Sequence, residues 1–119
     1  MYQDNEIGKI YREILSKVII RKSECDEFVW FLENQTTWLT APASTKYHLS
    51  IEGGLLIHSV GVAETMLELK NALIPEISDE SCAIVGLFHD VGKIGMQHSP
   101  RYIRKNSGYQ YNEGQIEMS

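Results

Sequence analysis

The sequence predicts an all-α domain, a helical bundle followed by a short β-hairpin near the C-terminus. Apolar residues recur at helical spacing in four segments, and a stretch rich in Thr, Ala and Ser separates the second from the third. Beyond Ser99 two short runs flank an Asn-Ser-Gly turn signal. The 119 residues suit a single domain over 1–119, with a helical core over about 6–96 and a hairpin-like tail over about 99–119.

The composition indicates which kinds of molecule the protein binds and where in the cell it acts. The net charge of −5 argues against broad binding of duplex nucleic acid, which requires a basic face. No apolar run is long enough to cross a bilayer, and residues 1–6 are polar and acidic, unlike a signal peptide. Cys25 and Cys82 lack the spacing of a metal motif, so we interpret them as buried, reduced thiols. These features predict a cytoplasmic protein that does not bind membranes.

The first two helices are predicted from an apolar stripe and from a capping signal. The stripe over residues 6–21 indicates an amphipathic helix and consists of Ile7, Ile10, Tyr11, Ile14 and Val18. Ser23 followed by Asp26 resembles a capping box that opens a second helix. The aromatic residues of this region are Phe28, Trp30, Phe31 and Trp38. We interpret them as core mass, and a platform for base stacking is the alternative.

Residues 36–50 are predicted to form a loop that leads into the third helix. Loops of this length within a compact domain are often functional. This loop ends on Tyr47 and His48, and we predict that His48 contacts a phosphate or a leaving group. A histidine that caps the following helix or lines its entry is the alternative.

The third and fourth helices carry the residues on which the functional prediction depends. Apolar spacing predicts one helix over about 54–72 and another over about 79–94. Because the connection between them is short, the two helices should pack antiparallel. Counting back from the connection at about 1.5 Å per residue places His58 at roughly the level of His89 and Asp90.

These three side chains predict a metal site. A buried aspartate beside a buried histidine is costly unless a cation compensates the carboxylate. A metal ion held by His58, His89 and Asp90 is one such cation, and Lys93, three residues after Asp90, is the competing one. Small residues surround the group, namely Gly54, Gly61, Gly86 and Gly92. They indicate either room for an ion, water and a ligand or close helix packing, and the sequence leaves both open.

The tail adds positive charge near the proposed site. We predict that Arg101 contacts an anionic substrate, and a solvated surface charge is the alternative for it and for Arg104 and Lys105. His98 is expected to be exposed. Residues 112–119 have the pattern of a helix that has just begun.

The order of these motifs resembles a known family. His58, followed by His89-Asp90 and then Gly92-Lys93, looks like the HD-domain superfamily of metal-dependent phosphohydrolases. The segment 47–59 is similar to the first-histidine motif of the bacterial and phage members, and the resemblance covers about residues 46–96. It implies an HD-domain-like helical bundle and hydrolysis of a phosphate ester of a nucleotide or a nucleic acid.

The resemblance also implies roles for individual residues. His58, His89 and Asp90 would hold a divalent ion such as Mn, Fe, Zn, Ni or Mg. Asp90 and Lys93 would be the catalytic residues. Lys93 would hold a phosphate oxygen, with His48 and Arg101 as further substrate contacts. The implied partners are a small-molecule nucleotide or phosphate ester, or single-stranded nucleic acid.

One departure from the family pattern concerns a further metal ligand. The family has another aspartate on a later helix, whereas Asp90 is the last aspartate here and Glu113 and Glu117 follow it closely. We therefore predict a domain truncated before this ligand, or one that has lost it, with weak metal binding and little or no hydrolysis of generic phosphodiesters. Two alternatives stay open. One is a degenerate, non-catalytic HD module that binds a nucleotide or protein partner. The other is an HD-type di-iron oxygenase, which would need further ligands.

Overall fold

The computed structural model describes residues 6–44, 49–105 and 108–112, and it confirms an all-α architecture with a terminal hairpin. The helices are α1 (Glu6–Leu15), α2 (Lys22–Gln35), α3 (Gly54–Leu73) and α4 (Asp79–Phe88), followed by a 3₁₀ turn at Val91–Lys93 and the strands β1 (Tyr102–Lys105) and β2 (Gly108–Tyr111). No helix in these described ranges is long and apolar enough to cross a membrane.

The core is built around α3, which packs most extensively against α4 and also contacts α1. Leu55, Leu56, Val60 and Ala63 are buried on α3, and Leu87 is buried on α4. These positions follow the 3.6-residue period, so the apolar stripe forms because the helix turns it toward its neighbours. Helix α3 ends within one residue of the predicted boundary.

Helix α4 is shorter than the sequence predicts. The Ser78 hydroxyl accepts a hydrogen bond from the Ser81 amide (3.0 Å) and caps the start of the helix. The helix ends at Phe88 rather than near residue 94, so His89 and Asp90 lie just beyond it. The His89 ring lies 2.8 Å from the Gly86 carbonyl, which in a longer helix would accept from the Asp90 amide. Here the ring contacts this carbonyl, and the backbone of Asp90 leaves the helical conformation (φ −111°, ψ 20°).

Helix α1 also ends early, at Leu15 rather than near residue 21. Beyond it, the amides of Ile19 and Ile20 donate to the carboxylate of Glu80 on α4 at 2.5 and 2.6 Å. Amides held by this carboxylate do not donate to helix carbonyls, so the chain leaves the helix here. Arg21 completes the contact, with its Nε atom 2.8 Å from Glu80. The Arg21 hydrogen bond, together with these amides, lowers the pKa of Glu80 to about 2.

Two predictions for α2 need correction. The helix begins at Lys22 and has no side-chain cap, so Ser23 does not form the predicted capping box. Asp26, its expected partner, lies instead 2.6 Å from Lys22. The aromatic residues of this region are not all core residues, although the sequence predicted that they are. Trp38 is fully buried, whereas Trp30 on α2 is 60 % exposed. Phe28, also partly exposed, packs edge-on against Phe88 with ring centroids 5.2 Å apart.

The segments after α4 contact the loop that follows α2 and form the β-hairpin. The Thr37 amide donates to the Gly95 carbonyl (2.9 Å), which ties this loop to the chain beyond the 3₁₀ turn. Strands β1 and β2 are antiparallel, with Tyr102 opposite Tyr111, and Tyr102 is buried. Cys25 and Cys82 are buried free thiols, as predicted, and burial raises the pKa of the Cys25 thiol.

Candidate metal centre

His58 is positioned by the first turn of α3. The helix begins after Gly53, whose φ of 77° lies in the left-handed region that glycine adopts readily. The amide of Leu55 donates to the Ala41 carbonyl (2.9 Å), so the preceding loop satisfies one of the donors that a helix start leaves unpaired. This anchoring to the loop sets the position of His58 one turn after the helix begins.

His89 is positioned by the end of α4. It is the capping residue after Phe88, and its Nδ1 atom lies 2.8 Å from the Gly86 carbonyl oxygen. A carbonyl can only accept, so Nδ1 carries a proton, and this contact selects the tautomer whose Nε2 can bind a metal when the ring is neutral. Histidines that bind metals usually donate their other ring N–H to a carbonyl or carboxylate in this way.

The ligand atoms of His58, His89 and Asp90 converge on one point. The two Nε2 atoms are 3.3 Å apart, and the Oδ2 atom of Asp90 lies 3.5 Å from His58 and 3.3 Å from His89. Ligands about 2.0–2.2 Å from an ion in tetrahedral geometry lie about 3.3–3.6 Å from one another. The triangle therefore has dimensions that fit a divalent metal ion.

The site is more open than the sequence predicts. The side chains of the three ligands are 26–30 % exposed, whereas the sequence indicated a buried group. The early end of α4 is the reason, because His89 and Asp90 then lie at the surface rather than on a packed helix. Partial exposure reduces the desolvation cost of the carboxylate and leaves one side of the triangle accessible to water and substrate.

Lys93 contacts both Asp90 and the loop. Its Nζ atom lies 3.3 Å from Asp90 Oδ2 and donates a 2.8 Å hydrogen bond to the Ala43 carbonyl. The sequence left open whether a metal ion or Lys93 compensates the charge of the Asp90 carboxylate. The ion pair between Lys93 and Asp90 is present together with the triangle of His58, His89 and Asp90. Lys93 therefore ties the residues before α3 to the ligand set.

The four glycines fall into two pairs. A Cβ atom on Gly86 would lie 2.5 Å from the Ala63 Cα, and one on Gly54 would lie 2.0 Å from the Leu49 carbonyl oxygen. These two glycines allow close packing. Gly61 and Gly92 would meet nothing within 4 Å, so packing against the described residues does not require them. The packing interpretation therefore applies to Gly54 and Gly86, and room for an ion and a ligand stays a prediction for Gly61 and Gly92.

The structure does not bring every predicted site residue to the triangle. His48 lies outside the described residues. The Arg101 guanidinium stacks on the hairpin tyrosines, 5.7 Å from the centroid of the Tyr102 ring and 5.2 Å from that of Tyr111. Within the described ranges it forms no ion pair with Asp90. His98 is exposed, as predicted.

Three features of the site were missed by sequence reasoning. They are the carbonyl of Gly86 that orients His89, the carbonyl of Ala43 that holds Lys93, and the left-handed backbone of Leu49. Only the first had a signal, because a histidine three residues after a glycine at the end of a helix can reach that glycine's carbonyl. The other two depend on residues distant in sequence.

Comparison with known families gives one result for this chain. The model of the HD domain matches residues 55–117, which is more than half of the chain and includes all three ligands of the triangle. A search of the curated proteins and a search of the solved structures each gave no significant match.

Proposed function

Because the chain belongs to the HD-domain family, we propose that it is a metal-dependent phosphohydrolase that cleaves a phosphate ester. The observation that carries the proposal is the triangle of His58, His89 and Asp90, whose ligand atoms all lie within 4.8 Å of one another. These three residues would hold the ion. When bound, a divalent ion lowers the pKa of a water molecule and polarises a phosphoryl oxygen.

The protein's own groups position the reactants. The Gly86 carbonyl keeps the proton of His89 on Nδ1, so the Nε2 lone pair faces the other two ligands. Asp90 contributes Oδ2 to the triangle, and it is the residue that would also hold a second ion. The partial exposure of the three ligands supports access of a substrate from solvent.

Lys93 is the proposed phosphate contact. A lysine carries three N–H donors, and the described contacts direct two of them to Ala43 and Asp90. The third is available for a phosphate oxygen, which an ammonium binds as a point charge. The shared contact with Asp90 would place that oxygen beside the metal ligands.

Arg101 and His48 are the further substrate contacts that we propose. Arg101 has a buried Nε atom that finds no hydrogen-bond partner in the described ranges, and this supports a role in binding an anion. His48 is proposed from its place in the sequence, shortly before α3. The substrate class that we propose is a nucleotide or another small phosphate ester, with single-stranded nucleic acid included.

The finer relationship to the family is also a proposal. The similarity of residues 47–59 to the first-histidine motif supports a bacterial or phage type. A further carboxylate ligand belongs to the family pattern, and no aspartate follows Asp90. With the three ligands His58, His89 and Asp90 alone, we propose that the metal is bound weakly. Tight, stoichiometric binding would show that three ligands suffice.

The test combines metal binding with turnover. The protein is freed of metal with a chelator and titrated with Mn²⁺, Zn²⁺, Fe²⁺, Ni²⁺ and Mg²⁺, and hydrolysis of phosphomonoesters and phosphodiesters is measured with each ion. The proposal expects metal-dependent hydrolysis that is lost in Asp90→Asn. Metal binding with no turnover of any ester would instead identify a non-catalytic binding module. Absence of metal binding would reject both.

A further inference from the structure

We propose that a pocket beside His58 binds an uncharged ring of the substrate, such as an aryl group or a nucleobase, and that Gly61 and Leu49 determine its size. This inference rests on the proposed function, because the ring is the part of the ester that lies beyond the phosphate. The pocket has a volume of about 520 Å³, and its apolar lining is formed by Leu49, Ile57, Val62 and Met66.

The pocket continues from the metal triangle along one face of α3. His58 contributes its Nε2 atom to the triangle and also lines the pocket. Gly61, Val62, Thr65 and Met66 follow His58 by three, four, seven and eight residues, which is the spacing of a single helix face. Eight residues of helix span about 12 Å, so a phosphate held at the triangle can place its ester group in the pocket.

The chemistry of the lining selects an uncharged group. Among the described residues that line the pocket, His58 is the one with an ionisable side chain, so the others offer a charged group no partner in exchange for its lost water. The volume lies within the range of pockets for small organic ligands and exceeds the needs of a methyl ester. Thr65 supplies the side-chain hydroxyl of the lining, which suits a ring with a polar edge.

Gly61 keeps the floor of the pocket open. A glycine inside a helix costs about 1 kcal/mol relative to alanine, and packing normally justifies this cost. At Gly61 a Cβ atom would meet no atom of the described residues within 4 Å, in contrast to Gly86, where it would meet the backbone of Ala63. A side chain at position 61 would point into space that the pocket occupies. Room for a ligand therefore accounts for this glycine where packing does not.

Leu49 forms a wall of the pocket from a strained backbone. Its φ of 58° is the one positive value for a non-glycine residue in the described part of the chain. Such conformations persist where surrounding contacts impose them, and they cluster at ligand sites. The Ala43 amide donates to the Leu49 carbonyl (3.1 Å), and that carbonyl occupies the space that a side chain on Gly54 would fill. These contacts hold the Leu49 side chain against the pocket.

The experiment compares two ligands that differ only in the ring. Benzyl phosphate and methyl phosphate carry the same charge, and their alcohol leaving groups have similar acidity. Hydrolysis is measured for both in the presence of Mn²⁺, and binding is measured by calorimetry with benzylphosphonate and methylphosphonate, which are not hydrolysed. A hydrophobic pocket of this kind should favour the benzyl ligand about 10-fold or more.

Three variants test which residues produce the preference for the benzyl ligand. Gly61→Leu fills the pocket, and it should fold because its side chain enters open space. Leu49→Gly removes the wall while keeping a residue that accepts the left-handed backbone. Both should lose most of the benzyl preference. Asn71→Leu adds the same side chain as the first variant to an exposed position of α3 outside the pocket, and it should keep the preference.

The outcomes separate the two proposals. Benzyl binding no tighter than methyl binding, or a preference that survives in Gly61→Leu, would overturn the pocket, and so would failure of the protein to bind either phosphonate. Hydrolysis of both esters without discrimination would overturn the pocket and leave the phosphohydrolase proposal standing. A benzyl preference that depends on Gly61, without hydrolysis of any ester, would support the pocket and overturn catalysis.

Discussion

Gly86 of α4 packs against Ala63 of α3 so closely that a methyl group on Gly86 would lie 2.5 Å from the Ala63 Cα atom. The carbonyl of the same glycine contacts the His89 ring three residues later. Gly86 therefore sets both the separation of the two helices and the orientation of His89, a member of the group that could hold a metal. The His58 and His89 rings, one from each side of this contact, have centroids 5.2 Å apart.

The first prediction follows from this contact. Gly86→Ala should lower the free energy of unfolding, because overpacking against the Ala63 backbone costs about 1–3 kcal/mol and outweighs the improved helix propensity. It should also weaken metal binding by separating the two histidines. Gly61→Ala is the matched control, since its methyl group meets open space. We expect it to stabilise the protein by up to about 1 kcal/mol. Urea denaturation checks both signs, and equal effects in the two variants would contradict the prediction.

The second prediction concerns the metal ligands. His58→Ala, His89→Ala and Asp90→Asn should each reduce metal affinity by more than the roughly 10–100-fold that follows loss of a group supporting a ligand. His98→Ala removes an exposed histidine and should leave the affinity unchanged. Calorimetric titration with Zn²⁺ and Mn²⁺ measures these affinities. A ligand variant that binds as tightly as the unaltered protein would remove that residue from the site.

The same site should link metal to stability. A metal that binds only the folded protein raises the free energy of unfolding by about 2.7 kcal/mol when present at 100 times its Kd. Thermal unfolding with and without a chelator should show this difference, and Asp90→Asn should abolish it. An unchanged melting temperature at saturating metal would mean that the ion binds the unfolded chain equally well.

A further prediction concerns the Lys93 ammonium group. Lys93→Met keeps the apolar stem but removes the charge that lies 3.3 Å from Asp90. Metal binding should hold or tighten, because a competing cation is gone, whereas phosphate-ester binding should weaken. Titration of metal and of a phosphonate into the same variant separates the two effects. Lost metal with unchanged phosphonate affinity would reverse the assigned role.

Acid stability should depend on Glu80. Its pKa is lowered from 4.5 to about 2, first by the Arg21 hydrogen bond and then by the backbone amides of Ile19 and Ile20. A depressed folded-state pKa stabilises the protein fully above about pH 4.5, and this contribution is lost as the pH falls toward 2. Glu80→Gln should therefore be less stable than the unaltered protein at pH 7, and the difference should shrink between these two pH values.

The measurement is the urea midpoint as a function of pH. Glu76→Gln, at an exposed position in the connection between α3 and α4, is the charge-matched control and should follow the unaltered protein at every pH. A Glu80→Gln difference that stays constant from pH 7 to pH 2 would show that the carboxylate charge is not the stabilising group.

Part of the site could be predicted because it depends on local pattern and on chain length. The apolar period of α3 and the short connection to α4 place His58 at the level of His89, and the Nε2 atoms of the two rings are indeed 3.3 Å apart. The predicted end of α4 was wrong. The apolar periodicity continues through Val91, whereas the helix ends at Phe88 and the His89 ring contacts the Gly86 carbonyl. Side-chain competition for a backbone acceptor leaves no trace in hydrophobic periodicity.

The amino-acid sequence by itself determined the helical class, the terminal hairpin and the approach of His58 to His89 and Asp90, because helix period and loop length are properties of neighbouring residues. Tertiary structure decided which glycines allow close packing, which carbonyl Lys93 contacts, and that Leu49 adopts a left-handed backbone conformation. Each of these depends on a contact across the chain: Gly86 with Ala63, Lys93 with Ala43, and Leu49 with Gly54. The free energy of such contacts comes from how two elements approach one another, and no local pattern encodes that distance.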